Sequence, residues 1–405
     1  MADDWIKTTL GEFITLQRGF DLPAVDRIPG QYPVIASTGP VGTHKEAIVK
    51  GPGVVIGRSG SIGGGQYILN DFWPLNTTLW VKDFKGNNPH FCYYFLKSID
   101  FSTYNAGSGV PTLNRNHINL LPIKVPKVAE QKAIVNILGS LDDKIALNLE
   151  MDETLEGMAR AIFKSWFVDF DPVKAKAAGL ETGLPHEIEC LFPDRFEDSE
   201  LEPIPKGWEV ALMPEVFYIN PKRSLKSGTI APYLDMKNMP TNSMRPGDCI
   251  DREFTSGTKF MNGDTLVARI TPCLENGKTA FVDFLKDEDI GWGSTEYIIL
   301  RSKPMLPLEY SYFFARKESF RNHAITNMTG SSGRQRVPIT CFDAYHVVIP
   351  PMEISSYFGN FAQNVIKLIK NNDIETNILS SIRDILLPRL ISGEIRVPER
   401  CEGLG

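Results

Sequence analysis

The chain has 405 residues, 42% hydrophobic and 23% charged, and its 43 Lys and Arg against 49 Asp and Glu give a formal net charge of -6. That length allows two or three domains with ample core, and no apolar run is long enough for a membrane span. The six cysteines, Cys92, Cys190, Cys249, Cys273, Cys341 and Cys401, form no Cys-x-x-Cys pair, which speaks against a disulfide framework or structural zinc and makes a reducing cytoplasm the default.

The opening MADDWIKTTLGEF carries acids and no apolar core, so no secretory leader is expected there. Residues 1–127 read as a compact mixed domain of short strands and turns. VVIGRSG, QYILN and TTLWVKD have strand character between glycine-rich turns, and HFCYYFLKSI is predicted to be a short helix started by Pro89. This region holds 12 basic and 9 acidic side chains, whereas residues 128–199 hold 7 and 15. The acidity of the chain thus lies mostly on one segment, and the flanking regions are neutral or mildly basic. That permits contact with phosphate, which depends on a local patch and not on the total.

A long helix is predicted over 128–168. Ile134, Leu138, Leu141, Ile145, Asn148, Asp152, Leu155, Ala159, Ile162 and Trp166 follow one another in steps of four and three, the signature of a heptad seam. At 1.5 Å per residue such a helix is roughly 55 Å long and needs a partner to cover its stripe. Residues 169–205, rich in Pro, Gly and acids, read as an ordered but extended linker.

A second domain over 206–350 repeats the plan of the first. Trp5 falls on Trp208, Glu12 on Glu215, TTLWV at 77–81 on TEYII at 295–299, PHFCYYFL on PLEYSYFF, and LLPIKVP at 120–126 on AYHVVIP at 344–350. The offset grows from 203 to 218 to 224, so the second copy carries insertions. A second long helix follows over 351–392, and a tail over 393–405. Shifted by 224 residues, the first helix lies on the second without a gap: Ile134 on Phe358, Leu141 on Val365, Ile145 on Ile369, Leu155 on Leu379, Ile162 on Leu386 and Trp166 on Leu390. Asn148 falls on Asn372, a polar residue in the same place of both seams that lowers stability and fixes register. An antiparallel helix pair follows if each domain sits at one end, although a linker of about 40 residues also has the reach for a parallel pair.

The sequence carries little that resembles an active site. The GRSGSIGGG run from Gly57 to Gly65 lacks the spacing of a dinucleotide or Walker loop and reads as a turn. Asn220-Pro221 is followed by Lys222 and Arg223, not by the residues of a methyltransferase loop. Glu130-Gln131-Lys132 reads as the acidic first turn of a helix, and His186-Glu187 lacks a second metal-binding His. What remains is two polar loops at equivalent places. NAGSGVPTLNRNHI offers Ser108, Thr112, Asn114 and Arg115, and TNMTGSSGRQRVPI offers Ser331, Ser332, Arg334, Gln335 and Arg336. A second pair comprises Arg58, Ser59 and Ser61 in the first domain and Arg269, Thr271 and Lys278 in the second. Arg suits guanine edges, Asn and Gln suit adenine, and Ser and Thr suit phosphate or base, so these fifteen are the candidate DNA-binding residues.

VPKVAEQKAI, LDDKIALN, TLEGMARAIFKSWFVDFDPVKAK, LFPD, IPKGW and RDILLPRLISGEI, with the duplicated organisation, resemble the specificity subunit of type I restriction-modification systems over essentially the whole chain. The resemblance implies an α+β fold: two homologous mixed target recognition domains held apart by a pair of long antiparallel coiled-coil helices, with a pseudo-two-fold internal repeat. It further implies that each domain reads one half of a bipartite, asymmetric site in double-stranded DNA while the helices act as a spacer. The chain itself would bind no catalytic group, cofactor or metal. Its partners would be two modification subunits, methylating adenine with S-adenosylmethionine, and restriction subunits that consume ATP with magnesium. Half-sites read by such a pair would lie about one helical turn apart or a small multiple of it, ~35 Å per turn.

Two readings from other classes remain: a stand-alone nuclease or methyltransferase with an unrecognised site, and a coiled-coil adaptor that never touches DNA. The heptad seam generates a test of the spacer. Deleting one heptad from both helices keeps knobs facing holes and is expected to shorten the gap between half-sites. Mapping the methylated adenines checks this, and an unchanged gap contradicts it.

Overall fold

The structure is a computed structural model and describes residues 5–286, 288–331 and 333–397. Its contacts divide the chain into two compact units, Met1–Leu147 with Glu375–Gly405, and Asn148–Ile374. The long helices contribute a half each to both.

In the first unit, β1 (Ile6–Thr9), α1 (Leu10–Phe13) and β2 (Thr15–Arg18) lead into β3 (Tyr32–Ala36), β4 (Gly39–His44), β5 (Gly53–Gly57), β6 (Gly63–Ile68), β7 (Trp73–Pro74) and β8 (Thr78–Asp83). Then come α2 (Pro89–Ser98), α3 (Arg115–Asn119), β9 (Pro122–Val125) and the long α4 (Val128–Phe167). The strands form three sheets, ordered β2-β8-β5-β6, β4-β3-β7 and β1-β9. The unbroken run Val54, Val55 and Ile56, buried on both faces, makes β5 a central strand, and α2 packs on it because Phe91, Tyr94 and Phe95 share one face of the helix. Asn88 starts α2 by accepting from Phe91 N at 3.0 Å, with Pro89 in the first turn.

The second unit repeats this order. After α5 (Asp171–Ala177), α6 (His186–Glu189), β10 (Phe196–Glu197) and β11 (Ile204–Pro205) come β12 (Glu209–Leu212), α7 (Met213–Val216), β13 (Phe217–Ile219), β14 (Ile230–Leu234) and β15 (Cys249–Glu253). There follow β16 (Thr258–Phe260), β17 (Thr265–Ala268), β18 (Thr279–Phe281), β19 (Gly291–Gly293), β20 (Tyr297–Ser302), α8 (Tyr310–Ala315), α9 (Glu318–Thr326), β21 (His346–Ile349) and α10 (Met352–Ser392). Its sheets, β13-β20-β17-β18, β15-β14-β19-β16 and β12-β21, match those of the first unit, with β16 and α9 added. The paired Glu12 and Glu215 have one job. Each carboxylate reaches back to the backbone N–H that opens its short helix, Thr9 N at 3.1 Å and Leu212 N at 2.8 Å.

Within each unit the two long helices run antiparallel. In the first, Lys144 meets Glu375 at 3.1 Å and Asp142 meets Arg383 at 2.9 Å, so one index falls as the other rises. In the second, Asp152 accepts from Asn372 Nδ2 at 2.7 Å, and the Phe163 and Phe358 rings lie 5.5 Å apart. Ile134, Leu138, Asn148, Trp166, Phe358, Val365, Ile369 and Leu390 are buried. Leu141, Ile145, Leu155, Ile162, Asn372, Leu379 and Leu386 are half-buried, so no seam position is exposed. Ile134 and Leu138 share a core with Leu10, Phe91 and Leu387, and Phe163 packs on Tyr310, Phe313 and Phe358. Burying such a side chain is worth about 1.5–3 kcal/mol, against 1 kcal/mol or less for a typical accessible ion pair, so apolar packing dominates the pairing.

One expectation changes. The extended linker over 169–205 is instead folded onto the second unit, because Val173, Ile188, Phe192 and Ile204 are spaced to bury together and Lys176 Nζ donates to Phe192 O at 2.6 Å. The Pro and Gly content that suggested an extended chain supplies turns between those anchors. Glu130 does lie in the acidic first turn of α4, and packing buries it there. It accepts from Trp5 Nε1 at 3.1 Å and pairs with Arg396 at 2.7 Å, while Gln131 holds Asn87 and the backbone N–H of Asn88. Of the tail, residues 393–397 are described. Gly393, at φ +77°, ends α10 in the left-handed conformation. Among the described residues no helix is long and apolar enough to cross a membrane.

Asp152 makes the second unit's seam sensitive to pH. Burial, with Asp373 and Glu156 nearby, pushes its carboxyl up to about 6, against the opposing effect of the Asn372 hydrogen bond and Arg245. A folded value above the unfolded 3.8 means that protonation favours folding, so this group's contribution improves as pH falls through about 6 toward 4. Asp152→Asn is expected to raise the melting temperature at pH 7.5 and leave it unchanged near pH 4; thermal melts of both proteins across that range check it.

Candidate nucleic-acid interface

The candidate loops meet. In the first unit, the turn after β5 and the loop before α3 are joined by Leu113 N to Arg58 O at 2.8 Å and Gly60 N to Pro111 O at 2.9 Å. In the second, Val337 N bonds Arg269 O at 2.9 Å and Thr271 N bonds Gln335 O at 3.1 Å. These are the same two bonds under the internal repeat: residues 58 and 60 shift by 211, residues 111 and 113 by 224. These two bonds are made by backbone atoms, so they survive the difference in side chains.

Local geometry shapes each loop. Asn105 Oδ1 accepts from Gly107 N and Thr112 N, both at 2.9 Å, and closes the first loop on itself. A Cβ at Gly107 would stand 2.0 Å from Val110 O, and one at Gly57 would stand 1.9 Å from Ser61 O, so the chain needs glycine at both. Ser59 and Thr112 face each other, with their hydroxyls 3.5 Å apart, and Ser61, Ser108 and Arg115 are exposed beside them. In the second unit, Ser331, Arg334 and Arg336 are exposed and Gln335 and Thr271 half-buried; Ser332 lies outside the described residues.

Several candidates are already engaged. Asn114 caps α3, accepting from Asn116 N at 3.0 Å, and Arg58 Nη1 donates to Asn76 O at 2.9 Å. Lys278 turns inward, its ammonium bonded to Met236 O at 2.6 Å, so it is not an outward-facing phosphate contact. Arg336 forms a forked pair with Glu296, at 2.8 and 3.0 Å from its Nε, and Arg269 approaches the same carboxylate at 3.9 Å. The Glu296 hydrogen bonds hold the Arg336 guanidinium above its usual pKa. Glu296 and Asn105, neither cationic nor hydroxylic, were not among the sequence candidates. The Asn-x-Gly spacing of a side-chain turn could have revealed Asn105, whereas nothing local marks Glu296. Among the described residues, no cluster of three His, Cys, Asp or Glu could hold a metal.

A family model for the type I restriction modification DNA specificity domain matches residues 2–156. The type I restriction enzyme HindI specificity subunit of Haemophilus influenzae is 25% identical over 97% of this chain and 100% of its own length. The MjaIX specificity subunit of Methanocaldococcus jannaschii is also 25% identical, over 80% of this chain and 74% of its own. The crystal structure of a type I system S subunit from M. genitalium shares the fold, with a TM-score of 0.58 and 16% identity over 96% of both chains. The same strand order recurs in the second unit, so the duplication carries the same fold past residue 156. Residues 2–156 thus match the type I restriction modification DNA specificity domain, and along nearly its whole length the chain is similar to type I restriction enzyme specificity subunits.

Proposed function

We propose that this chain selects the DNA sequence for a type I restriction-modification complex, each unit reading one half of a bipartite site in double-stranded DNA through its joined loop pair. The observation that carries this is the pair of equivalent backbone joins dressed with different side chains: one scaffold twice, with two recognition surfaces. Ser59, Ser61, Ser108, Thr112 and Arg115 are assigned to one half-site, and Thr271, Ser331, Arg334, Gln335 and Arg336 to the other. The chain performs no catalysis in this scheme. Two modification subunits supply methyl transfer from S-adenosylmethionine, restriction subunits use ATP and magnesium, and the assembly works in the cytoplasm. We place docking of a modification subunit on the face of α10 that carries Ile378, Ile382 and Ile385, which are 55%, 41% and 57% exposed and lie off the seam.

Exchanging the first unit's loops, 58–62 and 105–116, for those of another specificity subunit should change one half of the methylated site and leave the other intact. Sequencing of modified adenines checks this, and an unchanged site would falsify the assignment. The Glu296 clamp yields a second expectation. In the assembled methyltransferase, Glu296→Gln should steepen the salt dependence of DNA binding by about one unit of log K per log salt, and Arg336→Ala should flatten it by about as much. Equal slopes for wild type and both variants would remove Arg336 from the interface.

A further inference from the structure

The second unit contains a cavity of about 560 Å³ between the last third of α4 and the junction of α8 with α9. Phe163 and Phe313 form apolar walls, and Arg160, Lys164, Arg316 and Lys317 contribute cations. Three of the four are committed. Arg160 pairs with Glu156 and donates to Asn242 O at 2.8 Å, Lys164 pairs with Asp169, and Arg316 donates to the carbonyls of Thr241 at 2.6 Å, Gly277 at 2.9 Å and Thr279 at 3.0 Å.

Lys317 differs. Its residue surface is only partly covered, yet its ammonium is desolvated against the Phe314 ring, 5.3 Å from the centroid. Burial alone lowers its pKa to about 8, and no ion pair meets it among the described residues. The fold does not demand a cation here. By the offset of 218 that aligns α2 with α8, the first unit has Ser98 and Ile99 where the second has Arg316 and Lys317. A lysine beside apolar walls with no ion pair of its own raises the free energy of the empty site, and an anionic ligand removes that penalty.

We propose that this cavity is a binding site for a monocarboxylate carried on an apolar, ring-sized body, with Lys317 as the carboxylate's partner. Charge decides between a carboxylate and a phosphate. The four cations are set against Glu156, Asp169 and Glu318, which leaves one unit of positive charge, enough for a monoanion and short for a dianion. The aromatic walls require the apolar body. Two sources share this chemistry: a free small acid, and a chain end of a partner protein that closes with an aromatic residue.

The test uses the full chain and the probe 3-phenylpropionate, read by mass-spectrometric footprinting of lysine acylation at pH 8 and by ligand-detected NMR. The acid is expected to protect Lys317 from acylation, and neutral 3-phenylpropanamide is not. Lys317→Met should lose about tenfold or more in affinity for the acid, the size of a charge-assisted hydrogen bond, without a lower melting temperature. Equal protection by acid and amide, or full binding by the Met variant, overturns the proposal. A short peptide ending in a free phenylalanine carboxylate, set against its C-terminal amide, separates the sources. Competition by the free-ended peptide assigns a partner's chain end, binding of the small acid alone assigns a metabolite, and binding of neither overturns the site.

Discussion

The antiparallel seam between α4 and α10 is the constraint on which everything else in the molecule depends. Neither helix has a stripe that water can satisfy, and each stripe is only partly covered by the other helix. In the first unit Ile134 and Leu138 complete a core that includes Phe91 and Leu387, and in the second Phe163 and Phe358 do the same among Tyr310 and Phe313. The helices are therefore walls of the recognition domains as much as a connector between them. A helix pair built this way forms together with its domains and has no independent hydrophobic core to fold first.

Polar groups set where that seam can sit. Asn148 and Asn372 stand opposite one another, and the Asn148 amide reaches Asn372 O at 3.5 Å. Sliding either helix by a turn would bury these amides against Leu or Ile, which costs more than the apolar contacts regain. Glu130 and Gln131 perform a related task at the start of α4. They gather Trp5, Arg396 and the first turn of α2 into one hydrogen-bonded cluster, so chain segments far apart in sequence define where the helix begins.

How much of this was legible depended on the range of the interaction. Both long helices could be read to within a residue, 128–168 against Val128–Phe167 and 351–392 against Met352–Ser392, because periodicity is a local property sustained over 40 and 41 residues. Strand β8 and helix α2 were nearly as plain, whereas β5 ends at Gly57 and β6 begins at Gly63, at or inside the run read as a turn. The linker was misjudged because four buried anchors are diluted among turn residues. The candidate site was legible as two pairs of loops and illegible as chemistry. Whether Arg336 is free depends on Glu296, forty residues earlier, and whether Lys278 points out depends on a carbonyl at Met236. Such partners are chosen by tertiary packing, which a linear pattern does not encode.

The backbone joins that pin the two loops in each unit have a further consequence for how such a chain can diversify. Since main-chain atoms carry the joins, drift at Ser61, Ser108, Arg115, Ser331 or Arg334 leaves the framework intact, whereas Gly57 and Gly107 tolerate no side chain. Variation is confined by geometry to the loop tips, and a lineage can explore new preferences there without renegotiating its stability.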